Sequence, residues 1–155
     1  MKKIMVALDC TPLASDVLLA AKRWAVHFPG AELILFHALL QPDYYFSGQY
    51  APILGFNEFY NTDLTRLMEG GELEEAIVQF IEGLKAGLDL RDATVKIIPG
   101  NPEDIISETI NNLGIELLII GKHTKGAKPK LGHVAEALLR ASPVPVMVVP
   151  ETSKP

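Results

Sequence analysis

The chain has 155 residues, of which 48% are hydrophobic and 21% charged, and this is typical of one globular domain and excludes a disordered chain. Its 14 basic and 19 acidic residues give a net charge of −5, which argues against a dedicated nucleic-acid binder. The single cysteine, Cys10, excludes an intramolecular disulfide, and no apolar run is long enough for a signal peptide core or a membrane span. We therefore expect a cytoplasmic protein.

Five short apolar runs alternate with longer helical patterns along the chain. The first, second and fourth runs are continuously apolar, as expected for strands whose two faces are both covered. The third alternates with polar residues, and the fifth contains Pro145, which lacks an N–H group. We expect the third strand at a sheet edge, and the fifth either at an edge or starting at Pro145. In chain order, the runs are residues 4–8, 33–36, 94–98, 117–120 and 144–149.

The four segments between these runs repeat apolar residues at helical spacing. Thr11 is predicted to cap the first helix and Pro12 to occupy its first position, while Asn101 and Pro102 take the same roles in the third helix, which Gly114 ends. The last helix is predicted from about residue 131 to residue 141. The predicted inward stripes are Leu13, Val17, Ala20, Ala21, Trp24 and Ala25; Leu73, Ile77, Phe80, Ile81 and Leu84; Ile105, Ile106, Thr109, Ile110 and Leu113; and Val134, Ala135, Leu138 and Leu139.

Regular alternation of strands and helices predicts an α/β fold, in which a five-stranded parallel sheet carries helices on both faces in a three-layer sandwich. We expect one domain over residues 1–150 and a flexible tail over residues 151–155. Residues 39–60 form an unusually long connection and hold seven of the 11 aromatic residues. They could pack as a small satellite core, cover a ligand as a lid, or form a partner surface.

Two strand ends are candidates for a binding site, because ligands of open parallel sheets bind at the carboxyl ends of the strands. Asp9, Cys10 and Thr11 follow the first strand. Residues 122–130 follow the fourth strand and contain four lysines, one histidine and no acidic residue. This basic loop leads into a helix N-terminus, which favours an anion such as phosphate, although a solvated lysine loop is the simpler alternative.

Other side chains give weaker signals. Asp9 could cap the first helix, hold a metal together with a nucleotide, or contact ribose. Cys10 is most simply a small loop residue, and His37 at a strand end is most simply a hydrogen-bonded structural histidine. The four histidines lack metal-ligand spacing, so no metal site is predicted. No catalytic triad, P-loop or dinucleotide fingerprint can be singled out, and we do not expect an enzyme, with weak nucleotide hydrolysis left open.

Taken in order, several segments resemble the universal stress protein family over nearly the whole chain. The resemblance implies a sheet of strand order 3-2-1-4-5 and a homodimer, often formed through the last strand, here Val144 to Val149. The segments that carry it are Ala7-Leu8-Asp9, Leu35-Phe36-His37-Ala38, Gly100-Asn101-Pro102, Leu118-Ile119-Ile120-Gly121, residues 134–139 and residues 143–149.

The nucleotide-binding branch of that family carries Gly-x2-Gly-x9-Gly followed by Ser or Thr. Gly121 matches the first glycine, but Thr124 stands at the second, Gly132 comes two residues early, and His133 replaces the hydroxyl residue. The resemblance implies a stress-response sensor of a small ligand, an adenine nucleotide such as ATP with magnesium or another anion. The alternative is a dimeric interaction protein that binds no nucleotide and acts through its aromatic loop. The expected ligand-binding residues are Asp9, Cys10, Thr11, Ala38, Ile120, Gly121, Lys122, Thr124, Lys125, Gly132, His133 and Val134.

Overall fold

Strands and helices alternate through residues 1–41, 71–122 and 133–150, the parts of the chain that the computed structural model describes. Most of the aromatic connection 39–60, the start predicted for the last helix and the tail 151–155 lie outside these residues. The elements are β1 (Lys3–Ala7), α1 (Leu13–Ala25), β2 (Glu32–Leu39), α2 (Glu72–Gly87), β3 (Thr94–Pro99), α3 (Pro102–Leu113), β4 (Leu117–Gly121), α4 (His133–Ala141) and β5 (Val146–Val149).

The five strands form one parallel sheet in the order β3-β2-β1-β4-β5, which confirms the predicted fold class and strand order. β3 and β5 lie at the two edges, as the alternation in the third apolar run and Pro145 had indicated. Pro145 directly precedes β5, and its carbonyl oxygen accepts the N–H of Leu118 at 3.0 Å. The proline therefore contributes only an acceptor at that position, and its missing N–H does not interrupt the ladder.

Each face of the sheet is covered by two helices. Successive side chains of a strand point to opposite faces, so a strand buried on both faces is apolar throughout. Side chains of α1 and α2 pack on one face and side chains of α3 and α4 on the other. The first core contains Ile4, Val6, Leu35 and Ile119 with Leu18, Ile77 and Ile81, and the second contains Met5, Phe36 and Leu118 with Ile106, Ile110, Ala135 and Leu138.

The predicted ends of α3 are confirmed, whereas the predicted start of α1 is wrong. The side-chain oxygen of Asn101 accepts the N–H of Glu103 at 3.0 Å, and Gly114 ends α3 in a left-handed conformation with φ of 67°. α1 begins at Leu13 without a side-chain cap, and Pro12 stands one residue before it. Thr11 makes no capping hydrogen bond to α1, and its hydroxyl donates to the carboxylate of Asp9.

Three residues predicted to face inward are substantially exposed: Trp24 is 48% exposed, Leu139 45% and Val134 36%. Trp24 lies in the last turn of α1, where its ring is 5.6 Å from that of His27. Helical spacing shows on which side of a helix a residue lies but not how far along the helix the sheet extends. On α4, Val134 and Leu139 lie on either side of the stripe formed by the buried pair Ala135 and Leu138, each about 100° around the helix from its neighbour in sequence.

Candidate functional site

The candidate site lies where β1 and β4 end side by side. These strands are direct neighbours, with Ile4 opposite Leu117 and Val6 opposite Ile119. The loops that follow them therefore leave the same edge of the sheet from adjacent positions, as the sequence predicted. The strands that follow β1 in the chain, β2 and β3, lie on one side of it, whereas β4 and β5 lie on the other. In open α/β sheets, such a reversal of strand order marks the crevice outside the carboxyl ends of the strands where ligands bind, and crevice here means that place at the ends of β1 and β4.

Asp9 is held in this crevice by its own loop. The hydroxyl of the buried Thr11 donates to Oδ1 of Asp9 at 2.6 Å, and Asp9 itself is half-buried. Short hydrogen bonds to a carboxylate are among the stronger ones in proteins. The carboxylate therefore has a fixed position at the end of β1.

Cys10, which follows Asp9, is buried in surroundings that disfavour the reactive thiolate. Burial, with a smaller contribution from the negative charge of Asp9, raises the pKa of its thiol to about 12. The thiolate is the reactive form of cysteine, and it is scarce at neutral pH in such surroundings. Cys10 therefore fills space in the α1 and α2 core, which agrees with the simplest sequence interpretation.

At the end of β2, His37 and Ala38 are both buried. Nδ1 of His37 lies 2.7 Å from the carbonyl oxygen of Leu8, which confirms the interpretation of this residue as a hydrogen-bonded histidine. Burial lowers the pKa of His37 below its ordinary value, although the Leu8 carbonyl and the Asp9 carboxylate favour the charged ring. Ala38 packs in the α3 and α4 core, one residue beyond the histidine.

The end of β4 brings Ile120, Gly121 and Lys122 to the crevice. Ile120 is buried in the core and Lys122 is half-buried, with its backbone N–H donating to the carbonyl of Val149 at 2.7 Å. A Cβ atom at Gly121 would lie 2.8 Å from Cδ2 of Leu13. A side chain at this position would press on α1 where it packs on β4, which is a different reason for glycine from the close approach of a phosphate that the sequence motif implies.

The N-termini of α3 and α4 meet at the same edge. Nε2 of His133 lies 3.4 Å from Oε1 of Glu103, and the imidazole is otherwise exposed, as is the neighbouring Val134. The sequence analysis missed Glu103 as a site residue, because an acidic residue in a first helical turn is explained by the helix dipole alone. The structure adds a carboxylate to the end of the crevice at which an anion was expected.

Three of the expected ligand-binding residues, Thr124, Lys125 and Gly132, lie outside the described residues. The described members of that set come from the ends of β1, β2 and β4 and the start of α4. Over residues 1–41, 71–122 and 133–150, no three His, Cys, Asp or Glu side chains are grouped to hold a metal ion. In the same residues, no helix is long and apolar enough to cross a membrane.

Comparison with known proteins identifies one family. The model of the universal stress protein family matches residues 1–150. A search of curated protein sequences gave no match.

Solved structures resemble this chain over nearly its whole length. The hypothetical protein MJ0577 shares 25% identity with a TM-score of 0.69, over 99% of this chain and 98% of that one. A universal stress protein in complex with cAMP shares 18% identity with a TM-score of 0.64, over 97% and 98%. A family protein from Arabidopsis thaliana with AMP bound shares 14% identity with a TM-score of 0.61, over 99% and 94%. At 18% and 14% identity, the last two similarities concern the fold.

Proposed function

The chain belongs to the universal stress protein family, and from this premise we propose that it binds an adenine nucleotide, or another small anion, between the ends of β1 and β4. In this role it is a sensor of a small ligand in the stress response of the cytoplasm. The observation that carries the proposal is the position of Asp9 and Lys122 on the two sides of the reversal of strand order. Two relatives with the same fold have been crystallised with cAMP and with AMP.

Asp9 would recognise the nucleoside part of the ligand. A carboxylate accepts hydrogen bonds from ribose hydroxyls and from amino groups, and it does so best when its position is already fixed. The Thr11 hydroxyl donates to Oδ1 of Asp9, so a ligand group would donate to Oδ2. Because the carboxylate is half-buried, its hydrogen bond to the ligand would be less weakened by water than at an open surface.

The basic loop after β4 would attract the phosphate. Residues 122–130 contain four lysines and no acidic residue, and the loop leads to the N-terminus of α4. Lysine ammonium groups and a helix N-terminus both stabilise an anion. The Glu103 carboxylate lies beside His133 at this helix N-terminus, and its negative charge disfavours a ligand that carries several negative charges. We therefore expect a nucleoside monophosphate to bind more readily than ATP alone. Magnesium should improve ATP binding by neutralising part of the charge of ATP.

Isothermal titration calorimetry with AMP, cAMP and ATP, each with and without magnesium, tests the proposal. The wild-type protein should bind at least one of these nucleotides saturably. Asp9→Asn and Lys122→Ala should each weaken binding by about tenfold, the loss of one charge-assisted hydrogen bond. Arg91→Ala is the matched control. It removes an exposed charge from the turn that precedes β3, at the amino ends of the strands, whereas the proposed site lies at their carboxyl ends.

No binding up to millimolar nucleotide would contradict the proposal. It would favour the alternative of a dimeric interaction protein that acts through residues 39–60, which the departures at Thr124 and His133 from the nucleotide motif support. Removal of residues 42–60 should then abolish the capture of a partner. Our proposal is binding without turnover. Phosphate release from ATP that is lost in Asp9→Ala and Lys125→Ala would instead identify a slow hydrolase.

We also propose that the protein forms a homodimer through residues Val144 to Val149. β5 is an edge strand of four residues, and Val146, Met147 and Val148 are only half-buried. The exposed Leu139 on the neighbouring helix α4 adds apolar surface. Light scattering should give twice the chain mass of 16.9 kDa. The chain mass at every protein concentration would contradict the dimer.

A further inference from the structure

A buried histidine joins the ends of β2 and β1 beside the proposed site. His37 is only 5% exposed, and its Nδ1 lies 2.7 Å from the carbonyl oxygen of Leu8, which is 29 residues away in the chain. A carbonyl oxygen can only accept a hydrogen bond, so Nδ1 carries the proton and the ring is the donor. The structure therefore assigns the tautomer of this histidine.

Leu8 is held on both sides of its backbone. Its N–H donates to the carbonyl of Phe36 at 2.8 Å, and its own carbonyl accepts from His37. Leu8 lies one residue beyond the end of β1. The histidine side chain thus adds one hydrogen bond to the link between β1 and β2 at the point where the regular strand has ended.

This hydrogen bond also acts on the next residue. The carbonyl of Leu8 and the N–H of Asp9 belong to one planar peptide unit and point in opposite directions. Fixing the carbonyl therefore fixes the direction of the Asp9 N–H and the orientation of the peptide plane that ends at the Asp9 Cα atom. Thr11 fixes the other end of that side chain by donating to Oδ1 at 2.6 Å.

We propose that His37 is a positioning residue for the ligand site: by holding the Leu8–Asp9 peptide, it presents the Asp9 carboxylate to the ligand in one orientation. The inference rests on the proposed function, since Asp9 is the residue that would contact the nucleotide. His37 itself touches no ligand in this account. Its effect on affinity comes from a carboxylate that does not have to be ordered when the ligand binds.

The chemistry of the site requires a donor at position 37. An apolar side chain would leave the Leu8 carbonyl without its partner in a buried position, and the loop would move to satisfy it. The amide nitrogen of asparagine can occupy nearly the place of Nδ1, so asparagine preserves the donor. Burial favours the uncharged ring, and Asp9, the charged group identified among its described neighbours, acts in the opposite direction.

Two variants and one control test the inference. His37→Leu removes the donor, and His37→Asn keeps it. Thr109→Val is the control, because Thr109 is buried to the same 5% but lies on α3, seven residues beyond its first residue. Three measurements are made on each: AMP affinity by calorimetry, the position and hydrogen-exchange rate of the Asp9 amide resonance without ligand, and the denaturation midpoint.

We expect His37→Leu to weaken AMP binding by about tenfold, with a shifted and faster-exchanging Asp9 amide. His37→Asn should stay within about threefold of the wild type. Thr109→Val should lower the denaturation midpoint and leave AMP affinity and the Asp9 amide unchanged. Wild-type affinity together with an unmoved Asp9 amide in His37→Leu would overturn the inference. Equal loss of affinity in His37→Leu and Thr109→Val would also overturn it, by showing a general effect of stability.

The measurements separate this inference from the proposed function. If the wild type binds no AMP, the proposed function fails, whereas the Asp9 amide of the His37 variants still decides whether the histidine holds the peptide. If His37→Leu does not fold, two other measurements decide whether the histidine holds the peptide. One is the nitrogen NMR spectrum of the wild-type imidazole, which shows where the ring is protonated, and the other is the Asp9 amide resonance in His37→Asn. A ring protonated at Nε2 instead of Nδ1 would overturn the inference.

Discussion

Gly121 lies so close to Leu13 that a Cβ atom added to the glycine would be 2.8 Å from Cδ2 of the leucine. The same atom would lie 2.9 Å from Cγ2 of Val17, so two residues of α1 fill the space on that side of β4. Glycine at this position therefore has a packing reason that is independent of any ligand. The match of Gly121 to the first glycine of the nucleotide motif is not, by itself, an argument for nucleotide binding.

We predict that Gly121→Ala destabilises the fold, because the added methyl group overpacks the contact between β4 and α1. Such overpacking typically costs about 1–3 kcal/mol, measured by chemical denaturation. Gly83→Ala is the control, since Gly83 lies within α2 and a Cβ there meets no atom within 4 Å. That substitution should stabilise by up to about 1 kcal/mol through helix propensity. Equal effects of the two substitutions would show that the packing argument is wrong.

His37 should make stability depend on pH. Burial lowers its pKa below the ordinary value of 6.5, so the unfolded chain takes up a proton more readily than the folded protein. The free energy of unfolding should therefore be highest above pH 6.5 and should fall as the pH drops below 6.5 toward the folded pKa. The slope in that interval approaches about 1.4 kcal/mol for each pH unit.

His37→Asn should lose this part of the pH dependence in denaturation curves taken between about pH 7.5 and about pH 5. His27→Asn is the control, because it replaces an exposed histidine two residues beyond the end of α1. A wild-type profile in His37→Asn would mean that other groups produce the loss of stability at low pH.

The thiol of Cys10 should be inert in the folded protein. With a pKa of about 12 and almost no exposure, it should react with a thiol reagent near neutral pH only as fast as the chain unfolds. Because Cys10 is the only cysteine, labelling measured by mass spectrometry reports on this residue alone. In denaturant the reaction should be complete within the mixing time of a manual assay. Labelling of the native protein at the denatured rate would contradict the burial of the thiol.

The sequence was sufficient for the features that depend on neighbouring residues. Asn101 and Gly114 limit α3 through contacts within a few residues, and the alternation of strands and helices leads directly to a parallel sheet. Pro145 indicated a strand that lies at an edge or begins at the proline, and β5 lies at an edge directly after it, because the missing N–H is a local property. These signals need no knowledge of the tertiary fold.

The features that the sequence did not show depend on residues far apart in the chain. The contact of Glu103 with His133 joins two helix N-termini, and the packing of Leu13 on Gly121 joins a helix to a strand more than 100 residues later. Thr11 was predicted as a helix cap, but α1 begins without a side-chain cap and the Thr11 hydroxyl donates to the carboxylate of Asp9, two residues earlier.

The central claim is that a nucleotide binds between the ends of β1 and β4. The most direct measurement is a map of amide chemical shifts on addition of AMP to the isotope-labelled protein. We predict a saturable change in the amide chemical shifts of Asp9, Ala38, Gly121 and Lys122. The amide shift of Arg91, at the amino ends of the strands, should not change. Saturable movement confined to other residues, or no movement at millimolar AMP, would contradict the claim.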